Sequence, residues 1–180
     1  MSRVPLKNIE TSCPSGAEVL SGIKKRLGML PNFFGGLANH LGSLNGYLAF
    51  NEAMERESAL SKQQREKIAL AIANANGCHY CVSGHTLAAK AAGLDAEAAR
   101  LAQKGVAETP YDQAILKLAL EVLETRGHIA EETLAMAADQ GLSEAEIVEV
   151  VGWVGLNTFS NWINNVIQPK IDFPMVPIQD

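Results

Sequence analysis

The sequence predicts an all-α fold, a compact bundle of many helices, on three observations. Strand-like alternation of apolar and polar residues is nearly absent, apolar residues recur at helical spacing, and helix-starting and helix-ending residues punctuate the chain at regular intervals. Two of the starts are capping boxes: Ser61 with Gln64 and Ser143 with Glu146, a serine N-cap followed by a carboxylate or amide at the third helical position. Glycines at positions 28, 77, 93, 105, 127 and 141 fall near expected ends, and Pro31 and Pro110 fall near starts.

Taken in order, the expected helices are Ser15–Leu27, Asn32–Asn39, Ser43–Arg56, Gln63–Ala75, about Cys78–Ala92, Asp95–Gln103, Tyr111–Thr125, Glu131–Asp139, and a long one from Ser143 towards Val166. The first of these carries Lys24, Lys25 and Arg26, the only basic run, which reads as a solvated helix face. The fourth places Ile68, Leu70, Ala71 and Ile72 on an apolar side and closes before Gly77. Beyond about residue 167, Pro169, Pro174 and Pro177 forbid a continuous helix, so the tail is expected to pack as an extended arm on a single domain of residues 1–180.

The composition narrows the function. A chain of 180 residues with 47% hydrophobic and 19% charged residues can bury a sizeable core without staples. A net charge of −5 argues against a nucleic-acid partner. Two stretches, residues 27–51 and 150–169, contain no Asp, Glu, Lys or Arg, but Pro31, His40 and a series of asparagines interrupt them. They read as buried helices or subunit contacts rather than membrane spans. Pro5, Lys7, Asn8 and Glu10 interrupt any signal-like opening, so the expected location is the cytoplasm. There, closely spaced cysteines point to redox or metal chemistry more than to a structural staple.

Those cysteines are Cys78 and Cys81, and the informative segment runs from Glu66 to His85. On a helix, Cys78, Cys81 and His85 share one face. A Cys-x-x-Cys at a helix start gains from unpaired backbone N–H groups and from the helix dipole, which favour thiolate. Known sites of this kind have thiol pKa values of about 3.5–7 instead of about 8.5. A thiolate attacks peroxide oxygen, becomes a sulfenic acid, and condenses with a neighbouring thiol. His85, one turn beyond Cys81, is placed to act as a base. Glu66 on the preceding helix can orient the imidazole or pass protons through water.

Other readings of the same residues stay open here. Cys78, Cys81 and His85, with His79 or Glu66 as a fourth ligand, could hold zinc, although a second cysteine pair is missing. The cysteines could be a non-catalytic redox sensor, or simply buried. Cys13, in a loop before Pro14, has no sequence partner and reads as an incidental thiol. His40 and His128 read as structural, and Trp153 and Trp162 as core or subunit-interface residues. The glycines at 35 and 36 follow no strand and precede no Lys-Ser/Thr pair, so nucleotide binding has no support, and no haem or flavin motif is present. No cofactor is expected. A weak internal echo also runs through the chain. Leu142 and Ser143 repeat Leu60 and Ser61, and Ser160 and Ile163 then stand where Cys78 and Cys81 stand. That fits either an old duplication or two ordinary capping boxes.

The set Glu66, Cys78, Cys81 and His85 resembles the active-site signature of the alkylhydroperoxidase D family, within the carboxymuconolactone decarboxylase superfamily. Met29–Phe33 and Asn157–Asn161 resemble its peroxidase-related branch, and the likeness spans most of the chain. The resemblance implies an alkylhydroperoxidase D-like helical fold, with Cys81 as the thiol that meets the peroxide and Cys78 as the one that resolves the sulfenic acid. It implies a Glu66–His85 proton relay and an external dithiol reductant such as lipoamide or a thioredoxin-like protein. It also implies a homo-oligomer, a trimer or a hexamer. The cysteine pair is generally missing from the lactone branch, so decarboxylation is not expected. One position departs from the pattern: Tyr80 stands where the family has a histidine, with His79 one residue earlier. A phenol with a pKa near about 10 is no base near neutral pH, but it can donate a hydrogen bond. His79 points about 100° around the helix from that place and does not take the role by default. Tyr80 and His79 are therefore candidate accessory residues only.

Overall fold

A computed structural model describes residues 2–179. Nine helices and no strand occur among them: α1 Pro14–Leu27, α2 Asn32–Leu37, α3 Leu41–Arg56, α4 Lys62–Ala75, α5 His79–Ala91, α6 Ala96–Gln103, α7 Pro110–Thr125, α8 Glu131–Asp139 and α9 Glu144–Ile167. The all-α fold is as the sequence predicts, and most helix bounds agree to within two residues.

Both capping boxes form. Ser61 Oγ accepts from the Gln64 N–H at 3.2 Å, and Gln64 Oε1 accepts from the Ser61 N–H at 2.8 Å. Ser143 and Glu146 exchange the same pair of bonds at 3.3 and 2.8 Å. Each box satisfies two of the N–H groups that a helix start leaves without partners. Two bounds move for local reasons. His40 Nδ1 accepts from the Ser43 N–H at 3.1 Å, and this cap lets α3 begin at Leu41. Asn39 lies outside α2, where its side chain donates to the Pro5 carbonyl at 2.8 Å.

The centre of the bundle is α4, packed against α5, α6, α7 and α9. Lys67 through Ala73 are all buried, so this helix is covered on every side. Ile68, Leu70 and Ile72 are fully buried, each contributing about 1.5–3 kcal/mol by leaving water. Lys67 is the exception in chemistry. Burial pushes its ammonium pKa down, but Asp112 at 2.8 Å and Glu108 at 3.3 Å outweigh that and hold it above its usual value. The pair ties α4 to α7.

Two apolar clusters result. The larger lies between α4, α6, α7 and the first half of α9. The smaller joins α1, α2 and α3 to the end of α4 and the start of α5, and it contains Cys78, Tyr80, Cys81 and Val82. After α9 the chain turns at Gln168 (φ 50°) and runs without helix to Gln179, the arm that the prolines predict. Ile171, Phe173, Val176 and Ile178 pack on the smaller cluster, so the arm lies across the cysteine-bearing helix. Val176 N–H donates to Ser83 Oγ at 3.1 Å, and Gln179 and Asn74 exchange bonds at 2.8 and 3.0 Å. Among the described residues, no helix is long and apolar enough to cross a membrane.

Candidate active site

The site begins with a break between helices. α4 ends at Ala75, Gly77 takes φ +64°, and the Cys78 N–H donates back to the Ala73 carbonyl at 2.9 Å. A left-handed backbone costs any residue with a Cβ about 1–2 kcal/mol, and glycine avoids that cost. Cys78 is therefore the N-cap of α5 rather than its first helical residue. Its sulfur accepts from the Cys81 N–H at 3.2 Å, the bond a serine cap would make. Both sulfurs sit in the first turn, where the partial positive charge of the helix start favours an anion.

Cys78 and Cys81 are joined as a disulfide, with Cα atoms 5.2 Å apart. Cys78 is 0% exposed and Cys81 5% exposed, so an incoming reagent has more access to Cys81. One turn further along, His85 Nδ1 meets Glu66 Oε2 at 2.9 Å, which bridges α5 to α4. With Nδ1 turned to the carboxylate, Nε2 is the ring nitrogen left for proton exchange. The two side chains are partly buried and line a polar cavity of about 120 Å³, with Tyr47, Asn51, Arg65 and Asn157 among its walls. Burial pushes the Tyr47 phenol up to about 12, which keeps it protonated beside the Glu66–His85 pair.

The four predicted residues thus form two pairs on α4 and α5, Cys78 with Cys81 and Glu66 with His85, with His85 one turn beyond Cys81. The two accessory candidates do not join them. His79 is exposed, and only its backbone carbonyl is used, accepting from Ser83 Oγ at 2.9 Å. Tyr80 is buried and faces the arm. Its hydroxyl donates to Asp172 Oδ2 at 2.6 Å and accepts from the Phe33 N–H at 3.1 Å. Burial first, then the Asp172 hydrogen bond, push its phenol far above the usual value. Asp172 also receives the Asn32 backbone N–H at 2.7 Å and its side-chain amide at 2.6 Å. Phe173 packs edge-on against the Tyr80 ring, centroids 5.5 Å apart, and covers Gly84, where a Cβ would meet the Phe173 ring at 3.1 Å. Tyr80 is a fastener that joins α5, the start of α2 and the arm.

Sequence reasoning missed two partners of the candidate residues. Asn164, on α9, is buried and donates from Nδ2 to Cys81 Sγ at 3.3 Å. Its signal was present as asparagines at 157, 161 and 164, a helical spacing that puts poor helix formers on one face. Asp172 had no such signal. Cys13 is exposed at the N-cap of α1 and takes no part in the pair; its hydrogen bond with Ser15 lowers its thiol pKa. Among the described residues, no three or more His, Cys, Asp or Glu side chains are arranged to hold a metal ion.

Residues 43–125 match the carboxymuconolactone decarboxylase family. This segment holds α4, α5 and all four of the predicted residues. Over this segment the chain is similar to that family.

Its fold is alkylhydroperoxidase D-like. A peroxidase-related protein of Ralstonia eutropha JMP134, described as an alkylhydroperoxidase AhpD core, superposes with a TM-score of 0.85 at 21% identity, covering 96% of this chain and 92% of the other. A second peroxidase-related protein, from Silicibacter sp. TM1040, gives 0.78 at 22% identity over 87% and 84%. The debrominase Bmp8 gives 0.72 at 19% identity over 88% and 87%. At these identities the likeness is one of fold. No curated protein matches the sequence.

Proposed function

We propose that the chain is a thiol peroxidase that reduces alkyl hydroperoxides through a Cys78/Cys81 dithiol–disulfide cycle. The observation that carries this reading is the disulfide at the start of α5 with the Glu66–His85 pair one turn beyond it. In the reduced protein the Cys81 thiolate attacks the terminal oxygen of the hydroperoxide. The S–O bond forms as the O–O bond breaks, and the alkoxide takes a proton from the His85–Glu66 relay to leave as alcohol. Cys78, as thiolate, then attacks the Cys81 sulfenic acid. The S–S bond forms, and hydroxide leaves with a proton as water. Two thiols and one hydroperoxide thus give one disulfide, one alcohol and one water. An external dithiol returns both electrons and both protons. Thiol exchange needs a reachable sulfur, and Cys81 is the more accessible of the two.

Stopped-flow mixing of reduced protein with an organic hydroperoxide tests this. Two thiols should disappear per alcohol formed, with repeated turnover once a lipoyl or thioredoxin-like dithiol is supplied. Cys81→Ser should be inert. Cys78→Ser should react once and leave a sulfenic acid that dimedone captures. An unchanged thiol titre, or full activity in Cys81→Ser, overturns the reading. The rivals give different results: stoichiometric zinc without an oxidisable pair, or oxidation without turnover for a sensor.

We further expect a homo-oligomer, a trimer or a hexamer, in the cytoplasm. An apolar stripe on α9 supports self-association: Val148, Val151, Phe159, Trp162 and Val166 are exposed, Trp162 by 62%. A monomer in sedimentation analysis overturns the oligomer.

A further inference from the structure

α9 brings two unsatisfied amide atoms to the neighbourhood of the disulfide. Asn161 is fully buried and Asn164 is 6% exposed. Asn161 Oδ1 accepts from Asn76 Nδ2 at 3.0 Å, but Asn161 Nδ2 has no partner. Asn164 Nδ2 donates to Cys81 Sγ, but Asn164 Oδ1 has no partner. A buried donor or acceptor left unpaired costs about 1–3 kcal/mol, and native proteins keep few of them. Here a donor and an acceptor stand three residues apart on one helix face, and Asn164 touches the Cys81 sulfur. Asn164 also lines a cavity of about 310 Å³, with Gly77, His79, Tyr80 and Gln168, at the start of α5. A small group that both donates and accepts a hydrogen bond matches the pair, and the terminal O–H of a hydroperoxide is such a group.

We infer that Asn161 and Asn164 seat the oxygen atom that passes to Cys81, an inference that rests on the peroxidase reading. In the reduced protein, Asn164 Nδ2 donates to the Cys81 thiolate. Asn164 Oδ1 accepts the O–H of the hydroperoxide, and Asn161 Nδ2 donates to the same oxygen. The thiolate pair forms the S–O bond, the O–O pair departs on the alkoxide, and the hydroxyl stays between the two amides as part of Cys81–S–OH. It leaves as water when Cys78 closes the disulfide. In that final state neither amide atom has a protein partner.

The test compares two electrophiles on reduced protein. A hydroperoxide carries the O–H that the amides recognise, whereas iodoacetamide reports thiolate reactivity without one. Asn161→Ala and Asn164→Ala should each lower the ratio of peroxide rate to alkylation rate by about 10²-fold, the loss expected for one aligned hydrogen-bonding group. Asn161→Ser and Asn164→Ser, which keep a hydroxyl, should fall between and serve if the alanine variants fail to fold. Rates that fall together, leaving the ratio unchanged, would mean that the amides tune the thiolate or hold a structural water only, and the inference fails. If wild-type protein alkylates normally but ignores hydroperoxide, the peroxidase reading itself fails and takes this inference with it.

Discussion

The α4–α5 pair and α9 start alike and diverge at one place. Each opens with a leucine, a serine N-cap and a closed capping box. Ser160 lies as far from Ser143 as Cys78 lies from Ser61. The first run stops there: Gly77 turns left-handed, and Cys78 caps a new helix. The second continues unbroken for 24 residues, with Ser160 in its interior donating to the Asn157 carbonyl at 2.9 Å. By the same offset Val148, Ile163 and Ile167 stand where Glu66, Cys81 and His85 stand. Inside a continuous helix each N–H is already bonded to the carbonyl four residues back, so none is left for a sulfur. The break makes a second helix start in the middle of the bundle, and with it N–H groups and a local field. It also folds α5 back onto α4, which lets His85 reach Glu66.

The largest expected effect lies at that contact, which α9 lacks. His85→Gln should lower the peroxide rate constant by about 10²–10³-fold, since a positioned acid–base group contributes on that scale. Stopped-flow rates of the variant against wild type decide it. Wild-type rates in the variant would mean that the break serves the sulfurs alone and that the Glu66–His85 bond only holds two helices together.

The helices and the two close pairs, Cys78 with Cys81 and Glu66 with His85, were legible in the sequence because both rest on local rules. Capping boxes, glycine ends and one-face spacing depend on neighbours within a turn or two. What the sequence withheld depends on contacts across the chain. Tyr80 read as a departure from a catalytic pattern, yet its partner Asp172 lies 92 residues away on an arm that has no periodicity. Asn164 read as part of an uncharged, buried stretch, and its contact with Cys81 spans 83 residues. The identity of Cys78 as cap and not first helical residue was within reach. A helix start after a glycine demands an acceptor there, and sulfur supplies it.

A smaller effect is expected at the break itself. A Cβ built on Gly77 meets nothing within 4 Å, so Gly77→Ala adds no clash and leaves only the cost of a left-handed alanine. Chemical denaturation should show a loss of about 1–2 kcal/mol with folding retained. No loss would mean that the junction relaxes at no cost into another turn, and the contrast with α9 would then owe nothing to glycine.

The smallest effect should come from putting a thiol into the continuous helix. Ser160→Cys, made with Cys13→Ser, Cys78→Ser and Cys81→Ser, places a lone sulfur at the position that corresponds to Cys78. Cys13 must go because its hydrogen bond with Ser15 lowers its own pKa and would mask the reading. Residue 160 is buried and lies in mid-helix, so desolvation is uncompensated by a free N–H. Alkylation against pH should return a thiol pKa at or above about 8.5, with no reaction toward hydroperoxide. A markedly lower value would show that a buried sulfur in this bundle is activated without a helix start, and the break at Gly77 would lose its chemical meaning. A high value would separate what the residue supplies from what its position supplies, and assign the activation of Cys78 and Cys81 to the interrupted backbone.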